Sequence, residues 1–281
     1  MYDVAHGANT HSEASGGAFF PFTRHKSWFD GHSFASGLFP FGDGKSQEST
    51  SEAVNCYYGA YLWSLVRWKD MDGGLERINF AKLLLAMEIR GAKTYWHMLP
   101  PKDASGMDSI HSRSLYNDAF SESLMVGNLG MSDVTVSTWF GSDALYVHMI
   151  NFMPVTAATK ELFGPAYIQK EFQTILKPIY NDVPMAWRGY VISDRAMSEP
   201  NQAWNDATKL ISYELDSALS QSQVYYWIAS MENFNSSSIN VTQTTKSRDK
   251  NAWCDRNDGC SQLGLVGLCC PTQEGLYLGC C

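Results

Sequence analysis

A helical fold is indicated first by Val54-Asn55-Cys56-Tyr57-Tyr58-Gly59-Ala60-Tyr61-Leu62-Trp63-Ser64-Leu65. The apolar residues of this stretch recur three and four positions apart, which is the spacing of one face of an amphipathic helix. A second helix is predicted over 76–92, because Ile78, Ala81 and Leu84 with Leu85 and Ile89 lie on one side of it. The turn-forming residues 70–74 separate the two segments. The pattern therefore predicts a pair of consecutive helices.

Helical spacing returns further along the chain. It predicts helices near 144–151, 166–177, 184–197 and 200–219, and the start of another at 225–229. Residues 134–138 predict a short strand or an extended link, and residues 1–47 lack any period and are typical of long, functional loops. We therefore expect a mostly α fold with a main domain over 1–232.

The C-terminal part of the sequence has a different composition. Residues 233–250 are rich in Asn, Ser and Thr and predict a linker, and residues 251–281 form a cysteine-rich tail module. Its six cysteines predict a disulfide framework, and a zinc module is disfavoured because the tail has vicinal Cys-Cys pairs and no His. They are Cys254, Cys260, Cys269, Cys270, Cys280 and Cys281. The seventh, Cys56, lies in an apolar stretch and is expected to be a buried free thiol.

Charge and aromatic content restrict the classes of partner. The chain has 21 basic and 29 acidic residues, a net charge of -8, which argues against nucleic acid and against an anionic membrane surface. No apolar run reaches the ~18 residues that a membrane-spanning helix needs. The 9 Trp, 14 Tyr and 14 Phe residues fill cores and also stack on sugar rings. We expect a monomer that binds neither nucleic acid nor membrane.

Two features predict secretion. The sequons Asn235-Ser236-Ser237 and Asn240-Val241-Thr242 are acceptors for N-glycosylation, and they agree with the disulfide framework. The start of the chain, Met1-Tyr2-Asp3-Val4, has neither the basic start nor the apolar core of a signal peptide. We therefore expect a secreted glycoprotein of which an upstream part is missing here.

The candidate catalytic residues lie in Asp43-Gly44-Lys45-Ser46-Gln47-Glu48-Ser49-Thr50-Ser51-Glu52. Glu48 and Glu52 are four positions apart at a helix start, so both face the same way. The pattern Ser49-x-x-Glu52 by itself favours a capping box, in which Glu52 is structural. Capping does not explain the charges and the amide upstream of Glu48. Clustered carboxylates in differing environments are what a glycosidase uses to divide acid and base roles.

Other candidate residues lie in loops and among aromatics. Trp28 and His32, in the run 28–37, are suited to a sugar ring face and its hydroxyls, or else they belong to a loop with a half-buried His. The run 31–35 fails the G-x-S-x-G pattern of serine hydrolases, because it ends in Ala35 and follows no buried strand. His97 and His148 are expected in the core or hydrogen-bonded to sugar. No HExxH motif is present, and no metal is predicted.

Several of these blocks resemble glycoside hydrolase family 81, the endo-1,3-β-glucanases. The resemblance covers roughly residues 1–230. It rests on Phe20-Pro21-Phe22-Thr23-Arg24, Trp28-Phe29, Gly31-His32-Ser33-Phe34-Ala35-Ser36-Gly37-Leu38, the run from Asp43 to Asn55, Thr138-Trp139-Phe140-Gly141, Tyr146-Val147-His148 and Met153-Pro154.

The resemblance implies an (α/α)6 barrel with a long glucan cleft and an inverting reaction that needs no cofactor. Glu48 matches the family's base and Glu52 its companion carboxylate. The substrate-binding residues predicted from these blocks are Trp28, Asp30, His32, Asp43, Lys45, Gln47, Asn55, Tyr58, His97, Trp139 and His148.

The sequence departs from the family pattern at three points. Ser27 replaces an Asp, Phe34 replaces a Trp, and the D-H-H-F-H-Y-G-Y block that carries the family's general acid is missing. We therefore expect an incomplete barrel with exposed apolar helix faces and with the base but not the acid. Two functions stay open: an endo-β-1,3-glucanase, with this chain as its C-terminal part, and a non-catalytic secreted β-glucan-binding protein or inactive fragment.

Overall fold

The computed structural model describes residues 23, 25–35, 44–98, 116, 118–139, 141–211, 215–235 and 253–267. The chain divides into two compact units, Met1–Ser236 and Ser237–Cys281.

The first unit is mostly helical, as the sequence predicts. In chain order its helices are α1 (Thr50–Trp68), α2 (Gly74–Tyr95), α3 (Asp118–Ser123), α4 (Ala144–Ile150), α5 (Ala157–Leu162), α6 (Pro165–Glu171), α7 (Lys177–Ile179), α8 (Met185–Ala196), α9 (Pro200–Ala207) and α10 (Gln221–Ala229). A π-helical turn at Phe172–Leu176 joins α6 to α7, and a 3-10 turn at Tyr180–Asp182 follows α7.

Helices α1 and α2 are the predicted pair, and they pack against each other. Their buried positions recur at the predicted spacing, with Val54 and Tyr57 on α1 and Ile78 and Leu84 on α2. Helix α2 also buries one charged residue, Glu88, on the same face. The pair joins the main hydrophobic core through Val54 of α1 and Ala92 of α2.

The rest of this core lies among the later helices. Helices α8, α9 and α10 contact one another, and α8 also contacts α4 and the π-helical turn. The largest fully buried side chains there are aromatic, and they include Phe152, Phe163, Phe172 and Tyr190. Most of the Phe and Tyr content in this region therefore fills the core.

A small antiparallel sheet, in the order β1-β2-β3, precedes and follows the helix pair in the sequence. Strand β1 (Ser46–Gln47) pairs with β2 (Asn128–Gly130), which pairs with β3 (Val134–Thr135). The strand expected within 134–138 is confirmed, whereas β1 and β2 are too short for periodicity to reveal. The register sets Gln47 opposite Leu129, so Glu48 emerges at the end of a paired strand.

The helix predicted over 200–219 is wrong in its length, since α9 ends at Ala207. The apolar spacing continues past Ala207 because the irregular segment that follows also packs on the core. Leu210 is buried there, and Leu215 packs against the core. Thr208 donates its hydroxyl proton to the carbonyl of Asn205 at 2.7 Å, a local bond that competes with helix continuation. The short helices α3 and α5 were not predicted at all.

The second unit contains a 3-10 turn at Cys254–Arg256 and helix α11 (Asp258–Gln262). Cys254 and Cys260 are buried and disulfide-bonded. The other tail cysteines, Cys269, Cys270, Cys280 and Cys281, and residues 236–250 of the predicted linker lie outside the described residues. The framework and the domain bounds therefore stay predictions.

Cys56 differs from its expectation. It is a free thiol, but it is exposed and not buried, because α1 turns this position away from the face that packs on α2. Among the described residues, no helix is long and apolar enough to cross a membrane.

Candidate active site

Glu48 lies between β1 and α1 and is only 9% exposed. Its carboxylate oxygen Oε2 accepts a hydrogen bond from the backbone N–H of Trp139 at 3.0 Å. Burial raises the pKa of Glu48, the bond from Trp139 opposes this rise, and the charge of Glu52 adds to it. The arrangement holds a carboxylate of enhanced basicity in a fixed orientation.

Glu52 lies in the first turn of α1, where its side chain is exposed. The predicted capping box is wrong, because the Ser49 side chain makes no capping bond and donates instead to the carbonyl of Ile150 at 3.0 Å. The Asn151 side-chain oxygen accepts from the Thr50 N–H at 3.2 Å and from its hydroxyl at 2.7 Å. An amide at the end of α4 therefore caps α1.

The next turn of α1 is fixed to the segment after α4. The Asn55 amide donates to the carbonyl of Pro154 at 3.1 Å, and its oxygen accepts from the Thr156 hydroxyl at 2.6 Å. Ser51 donates to the carbonyl of Ile150 at 3.0 Å. Both polar groups of the Asn55 side chain are thus hydrogen-bonded within the protein, and its predicted contact with sugar stays untested.

The segment 25–35 contacts both α2 and β1. Lys26 Nζ lies 2.7 Å from Glu88 Oε2, and Ser33 donates both its N–H and its hydroxyl to Glu88 Oε1 at 2.9 Å. The Ala35 N–H donates to the carbonyl of Ser46 in β1 at 3.0 Å. Since the Ser33 hydroxyl is buried against a carboxylate, it gives no support to a serine nucleophile.

The predicted substrate-binding residues divide by exposure. Trp139 and Trp28 present large exposed fractions, 74% and 41%. Partly exposed are Asp30, Lys45, Asn55 and Tyr58, whereas His32, Gln47, His97 and His148 are buried. Asp43 lies outside the described residues. Trp28 and Trp139 are therefore the most exposed of the predicted substrate-binding residues that the structure describes.

The buried histidines pack within the protein. His97 stacks on the rings of Phe163 and Tyr167, with centroids 4.7 and 4.5 Å away. His32 meets the rings of Tyr95 and Trp96 edge-on. These ring contacts are typical of residues in a hydrophobic core.

His148 belongs to a buried polar cluster that sequence reasoning missed. Its Nδ1 contacts the Glu171 carboxyl and its Nε2 lies 2.9 Å from the carbonyl of Ser123. Burial lowers the pKa of His148 to about 4 and raises that of Glu171 to about 8. Burial, and then the neighbouring Glu171, raise the pKa of Asp194. An acidic residue on the apolar face of each helix, α6 and α8, is the signal that marks this cluster in the sequence.

A search against family profiles gives a match to the C-terminal domain of glycosyl hydrolase family 81 over residues 3–228. The chain belongs to glycosyl hydrolase family 81. Glucan endo-1,3-beta-D-glucosidase 2 of Saccharomyces cerevisiae is 30% identical to this family 81 chain over 192 residues, which is 66% of this chain and 22% of that protein. The glucan endo-1,3-beta-D-glucosidase of Acetivibrio thermocellus is 27% identical over 233 residues, which is 80% of this chain and 27% of that protein.

The solved structure of a family 81 protein from Clostridium thermocellum, a glutamate-to-alanine mutant, superposes with a TM-score of 0.60. It is 23% identical and covers 81% of this chain and 28% of that one. The likeness supports the helical fold. The family 81 chain thus spans about a quarter of the length of these relatives.

Proposed function

We propose that this chain takes part in the hydrolysis of internal β-1,3-glucosidic bonds in glucan by an inverting, two-carboxylate mechanism. The observation that carries the proposal is Glu48, a buried carboxylate held by the backbone of Trp139, whose own ring is exposed. The names of the relatives, glucan endo-1,3-beta-D-glucosidases, supply the substrate class. We further propose that the helices form part of an (α/α)6 barrel.

In an inverting reaction one carboxylate removes a proton from water as the water attacks the anomeric carbon, and an acid protonates the leaving oxygen on the opposite face. Glu48 suits the base, because a base with a pKa nearer neutrality removes a proton more effectively while it is still ionised at the operating pH. One oxygen accepts from the Trp139 N–H, and the described residues supply no donor to the other, which suits it to bind water. The negative charge of Glu52 adds to this basicity.

The rings of Trp28 and Trp139 suit the substrate, because a flat aromatic ring stacks on the apolar face of a glucose residue. The motif that carries the family's acid does not occur in the 281 residues. The proposal therefore assigns to this chain the base and part of the glucan-binding surface, and not the acid.

A substrate that needs no acid tests the proposal. In 2,4-dinitrophenyl β-laminaribioside the dinitrophenolate group leaves without protonation, so the chain is expected to hydrolyse this glycoside. Its turnover of laminarin is expected to be ~10²–10⁴-fold lower than that of an enzyme with acid catalysis. Glu48→Gln removes the base and is expected to abolish release of dinitrophenol. The rates are followed by absorbance, and NMR of the first product is expected to show the α-anomer.

The matched control is Glu232→Gln, which changes an exposed glutamate after α10. Full activity of Glu48→Gln, or a first product in the β configuration, contradicts the proposed role or the inverting mechanism respectively.

The missing acid motif favours one alternative, a secreted β-glucan-binding protein. Calorimetric titration with laminarihexaose distinguishes it. Binding without any hydrolysis of the activated glycoside supports the alternative, and hydrolysis that depends on Glu48 excludes it.

We also propose that the protein is secreted and glycosylated. Asn235 is exposed, which an acceptor for glycosylation requires, and two tail cysteines are disulfide-bonded. A mass shift on treatment of the secreted protein with an N-glycosidase tests this.

A further inference from the structure

Glu88 is a buried charge with no part in the chemistry proposed above. It lies on the core-facing side of α2 and is 1% exposed. Burying an ionised carboxylate is unfavourable unless it is paired and hydrogen-bonded. Its partners therefore indicate what this buried charge contributes.

Among the described residues, Glu88 has three donors, and all come from the segment 26–33. Lys26 Nζ reaches Oε2 at 2.7 Å, and the N–H and hydroxyl of Ser33 reach Oε1 at 2.9 Å each. Lys26 and Ser33 also form a β-bridge with each other. One carboxylate thus fastens both ends of the loop 26–33 to α2.

The loop lies directly on the helix backbone. Gly31 adopts a φ of +86°, and a Cβ there would lie 3.3 Å from the carbonyl oxygen of Met87. A Cβ on Gly91 would lie 2.9 Å from the Cβ of His32. This close approach fixes the position of the loop as well as its attachment.

The same loop reaches the strand that leads to Glu48. The Ser33 carbonyl accepts from the Gln47 side chain at 3.4 Å, and the Ala35 N–H donates to the carbonyl of Ser46 at 3.0 Å. Ser46 and Gln47 are the two residues of β1, immediately before Glu48. A continuous set of hydrogen bonds therefore runs from Glu88 through Ser33 to β1.

We propose that Glu88 is a positioning residue, whose carboxylate holds loop 26–33 on α2 and through Ser33 sets β1 and the Glu48 side chain. The inference rests on the proposed role of Glu48. An apolar residue at position 88 would bury the same surface, but it would not direct three donors and so would not set the register of the loop against β1.

The test measures the environment of Glu48 directly. The pKa of its carboxyl is followed by ¹³C NMR, with the resonance assigned by its loss in Glu48→Gln. In Glu88→Gln the released strand exposes Glu48, and the pKa of Glu48 is expected to fall toward its ordinary value. Ser33→Ala, which removes one hydroxyl and spares the buried ion pair, is expected to shift it in the same direction by less.

The matched control is Val191→Ala, which opens a cavity in the core on α8, where Val191 is 1% exposed. It loses stability and is expected to leave the pKa of Glu48 unchanged. A kinetic readout adds to this: with the activated glycoside, Glu88→Gln is expected to lower kcat by ~10–10²-fold with a smaller change in KM, because misplaced groups reduce the rate more than binding.

An unchanged pKa of Glu48 in folded Glu88→Gln and Ser33→Ala overturns the inference, even if the parent chain hydrolyses the glycoside. If the parent chain neither binds laminarihexaose nor hydrolyses the glycoside, the proposed function is wrong instead. The NMR shift then still reports whether Glu88 positions Glu48.

Discussion

At the residue scale, hydrogen bonding and burial determine the protonation states of His148, Glu171 and Asp194. His148 Nε2 faces a carbonyl oxygen, so it carries a proton and donates it. Nδ1 is then an acceptor, and a neutral Glu171 donates to it. The second Glu171 oxygen and both Asp194 oxygens are buried without a hydrogen-bond partner among the described residues, and burial beside Glu171 raises the pKa of Asp194, which favours its neutral form. The cluster is therefore uncharged, as burial requires.

This protonation predicts how stability depends on pH. The pKa of Glu171 is raised from 4.5 to about 8 in the folded chain, so the folded state holds a proton that the unfolded state loses above pH 4.5, and stability falls up to pH 8. The pKa of His148 is lowered from 6.5 to about 4, which has the opposite effect between those two values. Below pH 6.5 the effects of Glu171 and His148 offset each other, and the raised pKa of Asp194 adds a further loss as the pH rises. The loss is therefore expected to be steepest between pH 6.5 and 8.

We expect the free energy of unfolding to fall in that window by ~1.4 kcal/mol per pH unit for each proton involved. Urea denaturation at pH 6.5, 7.25 and 8 measures it. The Glu171→Gln variant has no titrating group at position 171, so its free energy of unfolding is expected to fall less steeply with pH. An equal slope in the variant contradicts the assignment of the proton to Glu171.

At the element scale, α1 depends on a residue far away in the sequence. Asn151, 101 residues from Thr50, supplies the cap for α1 and also donates to the carbonyl of Val147 in α4 at 3.0 Å. Asn151 is fully buried, so its amide bonds to the protein and not to bulk water. The start of α1 and the end of α4 therefore form one structural unit.

Asn151→Ala is expected to lower the free energy of unfolding by ~1–3 kcal/mol, because it removes a helix cap and leaves a buried N–H and hydroxyl without an acceptor. Urea denaturation measures the loss. Asn205→Ala, on the exposed face of α9, is the control and is expected to change stability by less than ~0.5 kcal/mol. Equal effects of the two substitutions would show that the cap contributes nothing.

These contacts explain which features of the structure can be predicted from the sequence alone. The spacing of apolar residues predicted α1 and α2, because the residues on one face of a helix recur every three or four positions. The Asn151 cap and the bond between Trp139 and Glu48, 91 residues apart, join segments that no local pattern relates. Family motifs named Glu48 and Trp139 without revealing that they touch. Glu88 escaped notice because a charge among apolar helix positions looks like a solvated one until its donors are known.

At the scale of the whole molecule, the end of α1 and the start of α2 carry exposed apolar side chains. Val66 is 89% exposed, Leu75 is 69% exposed and Trp63 is 46% exposed. Exposed apolar side chains promote association in water when they form a patch. The expectation of exposed apolar helix faces is therefore confirmed for this part of the described chain.

We expect the purified chain to be monomeric when dilute and to associate as its concentration rises. Val66→Gln together with Leu75→Gln is expected to reduce association without lowering the melting temperature, because both side chains lie outside the core. Light scattering across a concentration series measures this. Thr208→Ser, on the exposed end of α9, is the control. A monodisperse parent at every concentration contradicts the prediction.

The bond from Trp139 to Glu48 has an evolutionary consequence. The group that holds the carboxylate is a backbone N–H, which every residue except proline possesses. Under the proposed function, substitution of the ring at the same position can alter the contact with glucan while the backbone bond to Glu48 persists. Selection can therefore adjust affinity and reactivity independently at a single position of the chain.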